Sequence, residues 1–573
     1  GANAIVAAED GRLFVANCNT GDSVINEVYP AGDHTPRLIR GDLGLCAFRF
    51  GDWGPDGFFY GARTDLGEIA RIDVETGEMT TVATGLGAPG DVKFDSAGRL
   101  TTADAVTGEV YRLDPATGKK TTLATLEPGI AALAFDAEDR LYVSNEVGGS
   151  IVEVQSDGAI RQVNAGGLIA PGGLAVVGDT VYLADFLAIR GYDRHSGAQT
   201  VMIPKIYGAS ALNDPQTVAA DGENLLVSTW FYNSVQSVDP KNGAILVTYS
   251  DFNYPTNAIR FQGDLIVTEL GSGSVVRASG DNLAERETLA QGLTEPIGLA
   301  ATDQDVWVSD TATGAVWQII ADGKTLPEPK AVATGLAGPE GLTIAPDGTL
   351  LVVEAGAGRL SAIDLETGAV DILAEGLQTG QPATGGMPSF FLYSGVAIDA
   401  DGAIFVSGDK TNVIYRIPLT QPPQVQTTPA SAPEVFVQGV PVRLAVGLAV
   451  GPDDNLYVST QWIRHVLGLD PDTGEIIKQY GPVDGVDIPA DLAFGPDGSL
   501  YAGLYPGFDG DAILRLAPDG TVTGMPLPPI IWPVMTTEDG RLFAGLLIEN
   551  DMIVELDPDL QTPPRQLVSN GVF

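Results

Sequence analysis

The sequence predicts an all-β protein made of about thirteen four-stranded units, and three observations predict it. Apolar residues alternate with polar ones in short runs, the pattern of half-buried strands, and helical periodicity is essentially absent. The runs are broken by Asp-Gly, Pro-Asp-Gly and Thr-Gly, which supply the positive φ that tight hairpins need. One composite phrase recurs every ~40–50 residues. It reads "APGDVKFDSAGRLTTADAVTGEVYRLDPATGKKTTLAT" from Ala88, "GPEGLTIAPDGTLLVVEAGAGRLSAIDLETGAVDILAE" from Gly338 and "IPADLAFGPDGSLYAGLYPGFDGDAILRLAPDGTVTGM" from Ile488. A four-stranded antiparallel unit of that period is a propeller blade, a wedge that cannot bury its apolar faces without neighbours.

Taken in order, strand one of each unit starts near Ala4, Ala47, Asp91, Ala132, Gly173, Thr217, Ala258, Gly298, Gly341, Gly395, Gly447, Asp491 and Met535. Single propellers have about four to eight blades, so thirteen imply two β-propellers in tandem. A cut near 290 gives seven blades over 1–290 and six over 291–573; a cut near 250 gives six, then seven. The first is the division adopted. Long inserts fall near 376–393 and 418–435, where loops cap a site, meet a partner or are merely tolerated.

Bulk properties narrow the function classes. A chain of 573 residues needs more than one core. Its formal charge of −43 disfavours a nucleic-acid partner, because phosphate binding needs a basic footprint. No apolar run approaches the ~20 residues of a membrane span. The first residue is Gly1, with no leader visible, which fits a processed, secreted or periplasmic protein. Cys18 and Cys46, at the same end of neighbouring units, fit either a disulfide or two buried thiols.

The phrases "PEGLTIAPDGTLLVVE" (339–354), "PGGLAVVGDTVYLAD" (171–185) and "VGLAVGPDDNLYVST" (446–460) resemble the gluconolactonase/senescence-marker-protein family. They also resemble its strictosidine-synthase-like, virginiamycin-B-lyase-like and NHL-repeat relatives. The resemblance covers nearly the whole chain and implies fold more than activity. It implies a divalent cation, usually calcium, in a central tunnel, held by Glu, Asn and Asp and serving ester or lactone hydrolysis.

Strand one is innermost in a blade and strand two returns to the same end, so two rings of residues face a mouth. The first ring reads Asn3, Gln216, Asn257, Glu340 and Ser394. The second reads Asn17, Asp104, Asn145, Asp185, Glu269, Asp310 and Glu354. In position and type, Asn3, Asn257 and Glu340 match places where the family carries metal ligands. The candidate ligand set is therefore Asn3, Asn17, Asn257, Glu269, Asp104, Asn145, Asp185 and Glu340. The bland reading of the second ring is a set of side chains that cap backbone amides of the next loop. Glu340 and Glu354, if paired in a buried mouth, would push one carboxyl toward acid–base work.

Histidine is scarce. His34 and His195 occupy turns expected in solvent, whereas His465 follows a strand-two end and is the residue a lyase reading would use. Aromatic loops place Trp230, Tyr232, Tyr393 and Trp462, with Gln216, at the mouths, either as packing or as a ligand pocket. No zinc motif, phosphate loop or nucleophile elbow appears. Three functions remain: a metal-dependent lactonase or esterase, a non-catalytic exported binding or scaffold protein, and a virginiamycin-B-lyase-like lyase. The partner is a small molecule or a protein, and the oligomeric state is open.

Overall fold

In the computed structural model the chain forms thirteen four-stranded antiparallel sheets, one for each sequence unit. It describes residues 2–568 except 9–11, 19–22, 30–35, 44–46, 49–50, 137, 166, 170–171, 186, 207–209, 381–392, 400–401, 412, 418–432, 439–444, 454, 461–464, 471–472, 474, 482–485, 487–488, 505–511, 527–530, 537–538 and 547–551. Cys46, His34, Trp462 and most of both inserts thus lie outside the described residues. Among the described residues the only helical turns are three short 3-10 segments, and no helix is long and apolar enough to cross a membrane.

In chain order, blades 1 to 4 span residues 2–40, 51–83, 89–125 and 130–165. Blades 5 to 10 span 174–204, 217–249, 255–291, 296–334, 339–375 and 396–438, and blades 11 to 13 span 445–480, 489–525 and 531–568. Blade 9 shows why the phrase folds as it does. Strands Pro339–Ile344 and Leu350–Glu354 meet across a turn in which Gly348 takes φ 89°. The Asp-x-x-Thr-Gly turn closes on itself: Asp364 Oδ1 accepts the amides of Glu366 and Thr367, both at 2.9 Å, and Gly368 adopts φ 73°.

The blades do not divide near residue 290, nor near 250. One compact unit comprises residues 1–167, 206–209 and 440–573; the other comprises 168–205 and 210–439. The first holds blades 1–4 and 11–13, a ring of seven; the second holds blades 5–10, a ring of six. The six-bladed propeller is inserted between two parts of the seven-bladed one. A cut at 290 would separate blades 7 and 8, yet Phe261, Ile266 and Val275 share a core with Leu299, Val306 and Val308.

Each ring closes through its own buried contacts. In the six-bladed ring, Leu174, Val181 and Leu183 of blade 5 pack on Phe405 and Ile414 of blade 10. There Ser407 Oγ donates to the Gly172 carbonyl at 2.6 Å, and Arg194 pairs with Asp399 at 3.0 Å. In the seven-bladed ring, Tyr142 and Ile151 of blade 4 pack on Leu456, Val458 and Leu467 of blade 11.

Candidate functional site at the mouth of the six-bladed ring

Strand register fixes which residues share a ring. Pro339 pairs with Glu354, Pro255 with Glu269 and Pro296 with Asp310. The residue after each proline is therefore Glu340, Thr256 or Ile297, and Asn257 stands one position further, level with Gly341 and Gly298. Asn257 does line the axial cavity, but it is not Glu340's counterpart. Asn3 is, since Ala2 pairs with Asn17, but Asn3 belongs to the seven-bladed ring. The first ring thus does not gather Asn3, Asn257 and Glu340. Asn3, Asn17 and Cys18 lie on described strands, but their side chains lie outside the description.

The described side chains of the second ring act as latches on neighbouring loops. Asp104 accepts the amides of Gly87 and Ala88 at 2.5 and 3.0 Å. Asn145 donates to the carbonyls of Glu127 and Pro128 and accepts the Gly148 amide. Asp185 accepts the Ile169 amide at 2.9 Å and pairs with the buried Arg190 at 2.5 Å. Glu269 takes the Asn253 amide and the Ser272 hydroxyl, and Asp310 the amides of Thr294 and Glu295. Glu354 holds both arms of Arg359, the Ala337 amide and the Ser361 hydroxyl. Each lies where a loop would otherwise bury unpaired donors.

Glu340 is different. It is 7% exposed, and its Oε2 accepts the Ser394 amide of the next blade at 2.6 Å. Burial pushes its carboxyl well above the usual carboxylate range, and the charges of Asp409 and Glu295 push it further. The predicted pairing with Glu354 is not made; Glu340's acidic neighbours come from the adjoining blades. Glu295 is itself raised by burial and by Asp310. Tyr393 is 2% exposed, its hydroxyl lacks a hydrogen-bond partner, and burial followed by the charges of Glu295 and Glu340 raises its pKa strongly. Ser394 Oγ lies 3.5 Å from the buried Asp409.

Tyr393, Ser394 and Asn257 line a cavity of about 60 Å³ on the axis, room for about two waters or a small polar group. Below it the tunnel opens into a space of about 340 Å³ walled by Leu174, Ile259, Leu299, Leu342 and Val396. Both spaces mix aliphatic side chains with polar groups, Asn257, Tyr393 and Ser394 in the first and Arg260 and Thr343 in the second, a lining that suits a small ligand of mixed polarity.

The remaining candidates scatter. His465 starts the third strand of blade 11 and sits against Gly481, just past the end of the fourth, two strands away from the axis of the seven-bladed ring. His465 belongs to the seven-bladed unit and Glu340 to the six-bladed one. His195 is solvent-facing, as expected, with its side chain 59% exposed. Gln216, Trp230 and Tyr232 cluster at the end of blade 6, where Gln216 Oε1 accepts the Trp230 amide at 2.8 Å. Asp409 and Glu295 escaped the sequence reading because the acid was sought at the strand end; Glu295 precedes its proline and Asp409 follows Gly408.

The divalent cation implied by the family resemblance does not fit this donor set. Among the described residues no three acids, cysteines or histidines gather around one point. The described second-ring oxygens already accept backbone amides, hydroxyls and arginines, and burial raises the Glu340 pKa well above the usual carboxylate range.

No family model and no curated protein matches the chain. Solved structures similar to it include a streptogramin B lyase, at 16% identity, covering 58% of this chain and 90% of that one, with a TM-score of 0.27. The extracellular domain of the hybrid two-component system BT4673 from B. thetaiotaomicron is 11% identical over 100% of this chain and 93% of that one, TM-score 0.25. PorZ of Porphyromonas gingivalis is 13% identical over 95% and 78%, TM-score 0.23. The chain is a propeller protein. These likenesses are too distant to bring an activity with them.

Proposed function

We propose that the six-bladed propeller takes a small carbonyl-bearing molecule at its mouth and hydrolyses it as an ester or lactone. The observation that carries this reading is the buried, unpartnered Tyr393 hydroxyl near the buried Glu340 carboxyl, at a cavity on the axis. A phenol with no acceptor of its own can donate to a carbonyl oxygen and to the negative charge that develops there. A carboxyl whose pKa is raised by burial can supply a proton to the leaving oxygen and recover it from water. The wider space below accommodates the remainder of the substrate.

A second reading, ligand binding without turnover, is favoured by the same site's lack of a side-chain nucleophile activated by a base among the described residues. One experiment separates the two. Five- and six-membered lactones and p-nitrophenyl esters are assayed with the wild type, Glu340→Gln and Tyr393→Phe, and binding is followed by calorimetry. Hydrolysis predicts that kcat/KM falls by about 10²–10⁴-fold in Glu340→Gln and about 10²-fold in Tyr393→Phe. Binding alone predicts no turnover but weaker capture in Tyr393→Phe. Neither turnover nor capture, or turnover unchanged in both variants, rejects the site.

A further inference from the structure

The mouth-side end of blade 6 carries a second cluster, built around Gln216 of the same ring as Glu340. Asp214 is 6% exposed and Gln216 is 2% exposed. Gln216 gives its Oε1 to the Trp230 amide, but its Nε2 has no hydrogen-bond partner, and neither has Asp214 Oδ1. Pro215 between them disfavours helical backbone at Asp214, and side chains two apart on extended chain leave it on the same side. Ser228 Oγ and Thr229 Oγ1, on the strand paired with the one that follows Gln216, are also buried and unpartnered. Buried polar groups are nearly always bonded. A buried donor and a buried acceptor, each without a partner at this end of the blade, suit a group that both donates and accepts, which is what a hydroxyl does.

Aromatic rings stand next to this polar floor. Trp230 stacks on Phe231 with ring centres 4.0 Å apart, and Tyr254 meets Trp230 edge-on at 6.0 Å. Lys205 Nζ reaches the Tyr232 hydroxyl at 3.2 Å and lies 4.8 Å from its ring centre. Phe231, Tyr232 and Tyr254 are nonetheless 41, 45 and 47% exposed, and no other aromatic ring among the described residues is open to that degree. Rings held in place yet left bare present flat apolar faces to solvent beside the polar floor.

We propose that this end of blade 6 binds a neutral saccharide. A pyranose has an apolar C–H face to lay on an exposed ring and a rim of hydroxyls, each both donor and acceptor, to reach Gln216 Nε2 and Asp214 Oδ1. A purely aromatic ligand would stack but leave the buried pair open. A charged one gains little, because Lys205 and Asp214 already oppose each other.

The test titrates the full chain with maltohexaose, cellohexaose, xylohexaose and mannohexaose, reading tryptophan fluorescence and calorimetric heat. At least one is expected to bind saturably, with the fluorescence change lost in Trp230→Phe. The surface double variant Phe231→Ala/Tyr254→Ala should weaken binding about tenfold or more, and Glu340→Gln should leave it unchanged. That last control makes failure here distinguishable from failure of the hydrolase reading. No saturable response to any of the four sugars, or equal affinity in the double variant, overturns the proposal.

Discussion

Glu340 and Glu354 sit on paired strands of one blade, yet their carboxyls move in opposite directions. For Glu354, burial alone would raise the pKa, but the Arg359 fork, the Ala337 amide and the Ser361 hydroxyl outweigh it and lower it. For Glu340, only Ser394 opposes burial and the charges of Asp409 and Glu295. The linkage follows from the direction of that shift. Below about pH 4.3 a glutamate is protonated in the unfolded chain too, and Glu340's neutral burial is fully favourable. As pH rises toward the folded-state pKa, the unfolded chain ionises first and stability is lost. Glu340→Gln, which keeps an acceptor for the Ser394 amide but cannot ionise, should match the wild type in Tm near pH 4 and exceed it increasingly toward neutrality. A gap that stays constant across that range would show Glu340 to be an ordinary carboxylate. The sequence identified Glu354 as an anchor and Glu340 as the better chemical candidate. It could not identify Asp409 and Glu295 as the neighbours, because these come from other blades.

At the scale of the element, the recurring Pro-x-Gly and the Ser or Thr near the end of strand two turn out to be two halves of one joint. Ser309 Oγ accepts the Gly298 amide at 2.7 Å and donates to the Glu340 carbonyl of the next blade at 2.7 Å. Ser407 does the same for Gly395 and Gly172, at 2.7 and 2.6 Å. In blade 7 the link is made from strand one instead: Thr256 Oγ1 donates to the Pro296 carbonyl at 2.8 Å and lies 2.9 Å from the Thr268 hydroxyl on strand two. The glycine is needed for closeness rather than for a left-handed φ. A Cβ on Gly298 would stand 2.1 Å from the Glu340 carbonyl oxygen, and one on Gly395 2.5 Å from the Leu174 amide nitrogen. The corresponding position is not glycine in every blade: it holds Asn257 in blade 7, Asp91 in blade 3 and Ala132 in blade 4. Ser407→Ala, which opens the joint between the last and first blades of the six-bladed ring, should cost about 1–3 kcal/mol in chemical denaturation. A loss below the error of the measurement would mean that the ring is held by apolar packing alone. Periodicity made the strands and hairpins legible at this scale. The joint was not, because it pairs residues of different blades.

For the molecule as a whole, thirteen blades were countable from the phrase alone, and the numbers seven and six were within reach. Their nesting was not. Every blade carries the same local signals, so nothing in one repeat says whether it closes on the next repeat or on one far along the chain. Blade 4 meets blade 11 through Tyr142 and Leu456, and blade 10 meets blade 5 through Phe405 and Leu174. Both pairings are long-range and invisible to periodicity. The nesting also decides which residues share a mouth: it unites Asn257, Glu340 and Ser394 and removes Asn3 and Asp104 from them. The most direct test is to produce residues 168–439 and residues 1–290 separately and to follow the melting of each. Residues 168–439 should fold as a β protein that melts cooperatively, with the pH dependence of stability that Glu340 confers on the full chain. Residues 1–290, cut through the six-bladed ring, should not. Cooperative folding of 1–290, with 168–439 unfolded, would contradict a six-bladed ring nested within a seven-bladed one.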